Sequence, residues 1–216
     1  MRKQEKRRNW TLINIIKEHI KNNIKEYLMI SIIFLIGIVI GVIFINNTGE
    51  AEKTQINEYI ITFIDCLKTD YAIDSNELLK SSITNNIILV ILIWFMGMVV
   101  IGIPIVYAII LSRGFSLGYT MASAVAVLGV GKGILFNIIT LLFQNIIFIP
   151  CLISLGVSGM KLYKSIMKDK RRENIKLEII RHTAFCLFIG IILICSSFIE
   201  VYVSSNLLQV MVKYIW

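Results

Sequence analysis

Long apolar segments alternate with polar, charged segments along the chain. A helix needs about 20 apolar residues to cross the hydrocarbon core of a membrane, or about 17 at the short end. Five segments reach this length or come close to it, and the third, with 16 residues, is the shortest. The pattern predicts an all-α integral membrane protein built as a bundle of five transmembrane helices. The predicted spans are residues 28–45, 87–111, 115–130, 134–156 and 183–203.

Basic residues concentrate on two of the polar segments. Residues 1–27 and residues 157–182 each carry eight Lys or Arg against three acidic residues, whereas residues 46–86 carry three Lys against seven acidic residues. Because Lys and Arg accumulate on the cytoplasmic side of membrane proteins, we expect both basic segments in the cytoplasm and residues 46–86 outside. The N-terminus is then inside, and the C-terminal residues 204–216 lie outside.

The charge distribution also constrains the short third span. An even number of crossings must separate two cytoplasmic segments, so the third and fourth spans behave alike. Either both cross the membrane, or both enter and return as half-helices. We expect full crossings and keep the re-entrant pair as the alternative.

The two polar segments before the second span have helical periodicity. Residues 1–27 predict an interfacial helix attracted to anionic lipid, with a cytoplasmic partner as the alternative. Residues 46–86 predict an acidic helical hairpin outside the membrane, which serves either as a lid and spacer or as a docking face for partners. Candidate docking residues on this hairpin are Tyr59, Phe63, Asp65, Asp70, Asp74 and Glu77.

The composition excludes a soluble domain and offers little chemistry. Hydrophobic residues make up 56% of the chain and charged residues 17%, and the mean hydropathy is +0.77. A soluble domain carries about 25% charged residues. The net charge of +8 follows from the basic flanks, so no nucleic-acid partner is expected. Because the chain has no metal-binding His or Cys spacing, P-loop or nucleophile elbow, we expect no catalytic, metal or cofactor site.

Small residues recur at four-residue spacing in two spans. Gly37 and Gly41 form a GxxxG pattern in the first span. Small side chains allow close approach of helix backbones in lipid, so these positions are the predicted helix-packing residues. A longer series starts just before the third span and continues through it, with Gly114, Gly118, Ala122 and Ala126.

Amides and prolines are the remaining polar or irregular features of the spans. Asn137, Gln144 and Asn145 lie in the fourth span, and we expect them to bond across helices or to backbone loosened by Pro150, with substrate contact as the alternative. Pro104 predicts a kink in the second span. We expect no charged residue inside the first four spans, and we expect Glu200 to reach the headgroups from the outer end of the fifth.

Three stretches of the sequence are similar to one known family. They are WFMGMVVIGIPI at 94–105, RGFSLGYT at 113–120 and FQNIIFIP at 143–150, and the segments IKEHIKNN and SSFIEVY fit as well. Over nearly its whole length the chain resembles the stage II sporulation protein M family of endospore-forming bacteria. The resemblance implies a five-span protein in the mother-cell membrane at the sporulation septum.

The resemblance further implies a role in engulfment, when that membrane migrates around the forespore. Its implied partners are stage II sporulation proteins D and P, which degrade peptidoglycan and which the family member anchors and localises. The resulting hypothesis is a non-enzymatic membrane scaffold. The alternatives are a small permease or channel subunit with the third and fourth spans as pore elements and, behind it, a membrane-embedded enzyme.

Overall fold

The computed structural model describes residues 20–21, 23–68, 75–99, 101–168, 172–204, 206–208 and 210. Helices make up the regular structure of these residues. In chain order they are α1 (Ile24–Asn46), α2 (Glu50–Lys68), α3 (Ser75–Met98), α4 (Gly102–Leu128), α5 (Val130–Asn137), the π-helical turn π1 (Ile138–Leu142), α6 (Phe143–Lys168), α7 (Arg172–Ile199) and a second π-helical turn, π2 (Glu200–Ser204).

Five helices are long and apolar enough to cross a membrane, namely α1, α3, α4, α6 and α7 with its extension. The predicted fold class, an all-α membrane protein with five spans, is therefore confirmed. Large apolar side chains such as Leu35, Ile88 and Phe188 are more than half exposed, as a lipid-facing surface requires. The interior between the helices is packed with fully buried aliphatic residues, among them Ile30, Ile93, Ile110, Leu152, Leu155 and Leu193.

Contacts between the helices give their relative directions. Helices α1 and α4 run parallel, because residues 37 and 41 approach residues 114 and 118 in the same order. Helices α3 and α7 run antiparallel, since the Trp94 indole donates to Thr183 Oγ1 (3.0 Å) while Asn86 contacts Ser197.

The bundle therefore has two distinct ends. At the basic end, where α1 begins and α6 ends, Lys164 pairs with Glu26 at 2.6 Å and joins the two basic segments. The acidic end contains the end of α1, helix α2 and the start of α3. The shared position of both basic segments agrees with their expected location on one side of the membrane. Which end is cytoplasmic stays a prediction.

The turn between the second and third spans lies elsewhere than predicted. The sequence placed it at residues 112–114, but α4 runs through these residues and the helix break lies at residues 99–101. Pro104 explains the difference. It occupies the first turn of α4, where no intrahelical hydrogen bond is lost, so it marks a helix start rather than the predicted kink.

The other spans also extend beyond their predicted limits. Helix α3 begins at Ser75, so the second helix of the predicted outer hairpin is the first part of the span itself. The fourth span belongs to one helical stretch from Val130 to Lys168, interrupted only by the turn π1. Because α4 reaches the acidic end and α6 returns to Lys164 at the basic end, full crossing describes these two spans better than a re-entrant pair.

Polar side chains separate α1 from helix α2. The Asn47 amide donates to the carbonyl of Ile43 (2.9 Å), and Thr48 donates to that of Phe44 (2.7 Å). At the start of α2 the Glu52 carboxylate accepts from the backbone N–H of Gly49 at 3.0 Å. These bonds satisfy groups left free at helix ends and fix the chain direction there. Most of the predicted amphipathic segment 1–27 and the tail 204–216 lies outside the described residues.

Candidate functional site

The predicted glycine positions form a direct interface between α1 and α4. A Cβ added to Gly37 would lie 3.2 Å from the Cα of Gly114, and one added to Gly41 would lie 3.2 Å from the carbonyl carbon of Gly118. A Cβ at Gly118 would overlap the carbonyl oxygen of Ile38. The two backbones are in contact, so no larger residue fits between them.

Ala122 and Ala126 continue the four-residue spacing but lie at a different place. Both line an apolar space of about 560 Å³ between α1, the acidic-end half of α4 and the fourth span. We call this space the lateral groove. Its lining residues Met121, Ile134 and Ile138 are each more than a third exposed, so the groove opens onto the membrane-facing surface. The groove is also lined by Leu117, Asn137, Asn145 and Ile149.

Two of the predicted amides lie in this groove and bond to nearby backbone. The side-chain amide of Asn137, which is only 5% exposed, donates to the carbonyl of Met121 at 2.9 Å. Asn145 donates to the carbonyl of Leu141 at 2.7 Å. Among the described residues, Oδ1 of Asn137 finds no hydrogen-bond partner. The side chain of Gln144 lies outside the described residues.

Pro150 lies inside α6, the helix that corresponds to the predicted fourth span, and the helix continues on both sides of it. Proline has no N–H, so the carbonyl of Ile146 loses its usual donor. The turn π1 ends at Leu142, eight residues before Pro150. It is a second departure from regular α-helix in the same span. Asn145 bonds to a carbonyl of this turn, Leu141, and not to the backbone loosened by Pro150 or to another helix.

The structure corrects the expectation that no charge lies inside the first four spans. Arg113 is in α4, roughly 16 Å along the helix from its start at Gly102 and about 22 Å from its end. Its guanidinium carbon lies 5.9 Å from the centre of the Phe148 ring. A charged side chain at the centre of a spanning helix costs about 2.5–3.5 kcal/mol on insertion, and such residues mark functional sites. Arg113 was not predicted inside a span because it lies in the segment 112–114, where a turn was predicted.

Helix α2 packs on the acidic end of the bundle. Ile64 is 3% exposed and belongs to a small apolar cluster with Ala124 and Phe136. Tyr59 and Phe63, two of the predicted docking residues, line a space of about 640 Å³ between α2 and α4.

The predicted docking residues are either exposed or outside the described residues. Tyr59 is 76% exposed and Phe63 38% exposed. Asp65 and Glu77 are exposed as well. Asp70 and Asp74 lie outside the described residues.

A polar interface between α3 and α7 was not predicted. Asn86, 7% exposed, donates to Ser197 Oγ at 2.8 Å, and Ser82 bonds to both Ser197 and the carboxylate of Glu200. Glu200 therefore faces α3 rather than only the headgroups. Asn86 was missed because it was assigned to the outer loop, and its position three residues before Leu89 on the buried face of α3 is the signal that identifies it.

His182 is a second buried polar residue that the sequence placed in a cytoplasmic flank. It is 3% exposed, and its Nδ1 lies 2.8 Å from Ser158 Oγ. Its ring also approaches Gly97, where an added Cβ would lie 2.9 Å from Nε2. Within the part of the chain that the structure describes, no three His, Cys, Asp or Glu side chains come together as a metal site.

The family comparison covers most of the chain. Residues 30–205 match the family model described as Stage II sporulation protein M, a range that includes all five spans except the first turns of α1. Neither curated proteins nor solved structures give a significant match.

Proposed function

The chain belongs to the stage II sporulation protein M family and is thus a sporulation-related membrane protein, and from this premise we propose that it is a non-enzymatic scaffold for forespore engulfment. It anchors and localises the peptidoglycan-degrading stage II sporulation proteins D and P. The site of action is the mother-cell membrane at the septum. Neither a reaction nor a cofactor enters the proposal.

The observation that carries the proposal is the outer helix α2, fixed on a tightly packed bundle. Ile64 holds α2 to the bundle, while Tyr59, which lines the space between α2 and α4, keeps 76% of its surface exposed. Exposed aromatic side chains of this kind are common anchors of protein interfaces. The same helix carries the exposed acidic residues Glu58 and Asp65. A basic, membrane-proximal segment of a partner complements this surface.

The packing of the bundle supports an anchoring role over a moving one. The backbones of α1 and α4 touch at Gly114 and Gly118, which leaves no space for the helices to rotate or slide independently. At the other side of the bundle, the hydrogen bonds of Asn86 and Ser197 link α3 to α7. An alternating-access transporter needs interfaces that rearrange, whereas a scaffold needs ones that persist.

The alternative of a small permease or channel subunit has one observation in its favour. Asn137 and Asn145 both line the lateral groove, which gives it polar groups. Their amide groups, however, donate to backbone carbonyls of the same molecule, which supports a structural role. Cysteines placed at 137 and 145 distinguish the two functions. A scaffold protects both from small water-soluble thiol reagents, whereas a water-filled pore exposes them.

The proposal is tested by purifying a tagged copy of the full chain from detergent-solubilised membranes of sporulating cells. We expect stage II sporulation proteins D and P to co-purify with it. The Tyr59→Ala variant should retain less than half of each partner, because it removes the exposed ring without touching the buried side of α2. Ile61→Ala is the matched control, since Ile61 lies on a different face of the same helix and should leave the yield unchanged.

Two results oppose the proposal. One is recovery of a nucleotide-binding subunit or a bound solute in place of the hydrolases, which favours the permease. The other is an equal loss of partners in Tyr59→Ala and Ile61→Ala, which removes the docking role of the exposed ring.

A further inference from the structure

Arg113 is a cation in a spanning helix, and no counter-ion for it lies among the described residues. It lies near the middle of α4, is exposed on the bundle surface and forms no ion pair with any residue that the structure describes. Among the described side chains its close partner is the Phe148 ring, whose centre lies 5.9 Å from the guanidinium carbon. A cation–π contact stabilises a guanidinium but leaves its five N–H donors without acceptors. Arg in a span normally pairs with another group, so the site is incomplete as it stands.

Arg113 lies one helical turn from Leu117, a lining residue of the lateral groove, on the side of the basic end. It shares one face of α4 with Leu117 and Met121, because residues four apart stack along a helix. Both of these residues line the groove, as does Ile149, the neighbour of Phe148. Arg113 and Phe148 are therefore next to lining residues of the groove on both of the helices that form this wall.

The groove is suited to a helix. Ala122 and Ala126, spaced by one turn, are small residues on its wall, and small residues allow a second helix to approach closely in lipid. Any occupant at this depth has its own backbone hydrogen bonds satisfied, which a helix achieves alone.

We propose that the lateral groove binds a transmembrane helix of a partner protein, and that this helix carries an Asp or Glu at mid-membrane depth that pairs with Arg113. Charge complementarity identifies the occupant. A carboxylate accepts two parallel hydrogen bonds from a guanidinium and neutralises it in the low dielectric of the membrane. The inference rests on the proposed function only for the identity of the protein that supplies the helix.

A second copy of this chain does not fit the groove. Its spanning helices carry acidic residues only within about two turns of their ends. Two of these are already bonded, Glu26 to Lys164 and Glu200 to Ser82. Lipid does not meet the requirement either, because phosphate groups lie at the membrane surface and acyl chains carry no negative charge.

A synthetic helix tests the chemistry directly. The full chain is reconstituted in phosphatidylcholine vesicles together with a fluorescent Leu/Ala transmembrane peptide of about 20 residues that has one central Asp. Binding is followed by energy transfer to a dye at the exposed Cys66. We expect the Asp peptide to bind at least about tenfold more tightly than the same peptide with Asn, since breaking a desolvated charge pair costs at least this factor.

Variants of the chain show whether Arg113 is responsible. Arg113→Gln should abolish the preference for Asp, whereas Lys161→Gln, which removes an exposed charge at the basic end, should preserve it. Arg113→Glu paired with a central-Lys peptide should restore binding. Circular dichroism and gel filtration of each variant confirm that it is folded, and Arg113→Lys, which retains the charge, should keep part of the preference.

Equal binding of the Asp and Asn peptides to the wild-type chain overturns the proposal. So does a preference that survives in Arg113→Gln. If phosphatidylglycerol vesicles abolish the Asp preference, the ligand of Arg113 is a lipid phosphate instead. Each of these outcomes is independent of whether proteins D and P co-purify with the chain, so failure here leaves the test of the scaffold function intact.

Discussion

Two faces of helix α4 contrast in how they are used. One face, with Gly114 and Gly118, is in backbone contact with α1 and is completely filled. Another face, with Arg113 and Met121, leads to an open groove of about 560 Å³ and carries a charge that no described residue neutralises. The first arrangement is what a stable membrane fold requires. The second is unfavourable for the isolated chain, and features that weaken an isolated protein commonly belong to binding sites.

The contrast predicts that stability and binding reside on different faces. Substitutions on the glycine face should change the free energy of unfolding strongly, and those on the groove face should change it little. The polar interface between α3 and α7 should fall between them, because hydrogen bonds between helices in lipid contribute modestly.

The largest effect is expected at the glycine face. Gly118→Ala places a methyl group against the backbone carbonyl of Ile38, and α1 and α4 must separate to admit it. We expect a loss of about 3 kcal/mol in the free energy of unfolding, at the upper end of what overpacking usually costs. SDS-induced unfolding of the purified protein in detergent micelles measures this value. The matched control is Gly131→Ala, where an added Cβ has no atom within 4 Å; similar values for both variants would falsify the close contact.

An intermediate effect is expected at the polar interface. Asn86→Leu removes the bond to Ser197 and leaves the hydroxyls near Glu200 with fewer partners, so unfolding should become easier by about 1 kcal/mol. The exposed neighbour Asn85→Leu is the control. A double-mutant cycle between Asn86 and Ser197 should give a coupling energy of about 0.6 kcal/mol and not above about 1.7 kcal/mol. A coupling energy of zero would show that this hydrogen bond does not stabilise the interface.

The smallest effect on stability is expected at the groove face. Arg113→Gln should leave the free energy of unfolding within about 0.5 kcal/mol of wild type, because only the Phe148 contact is lost. The same SDS titration measures it. A loss comparable to that of Gly118→Ala would mean that Arg113 belongs to the fold rather than to a binding site, and the contrast between the two faces would fail.

Much of the architecture could be predicted because it depends on composition and spacing. The number of spans follows from apolar segment length, and the glycine spacing in the first and third spans identified residues that meet in space. Amides in an apolar segment likewise pointed to Asn137 and Asn145. Such signals are local, so they do not depend on knowing which helices are neighbours.

The features that escaped prediction depend on where helices begin. Pro104 was interpreted as a kink, although proline is equally typical of a first helical turn. As a result, the predicted break between the two spans lay about four helical turns too far along the chain, and Arg113 was assigned to a loop. Asn86 and His182 were missed for a related reason, since α3 and α7 extend well beyond their apolar cores. Polar residues in those extensions become buried only through contacts with another helix.

The scaffold function is tested most directly by cross-linking in sporulating cells before any detergent is added. A photoreactive amino acid replaces Tyr59 on the acidic end, and in a second strain it replaces the exposed Lys176 on the basic end. We expect adducts of stage II sporulation protein D or P at position 59 and none at position 176. Absence of an adduct at position 59, in cells whose membranes contain the variant at the wild-type level, would contradict the proposed docking of wall hydrolases on α2.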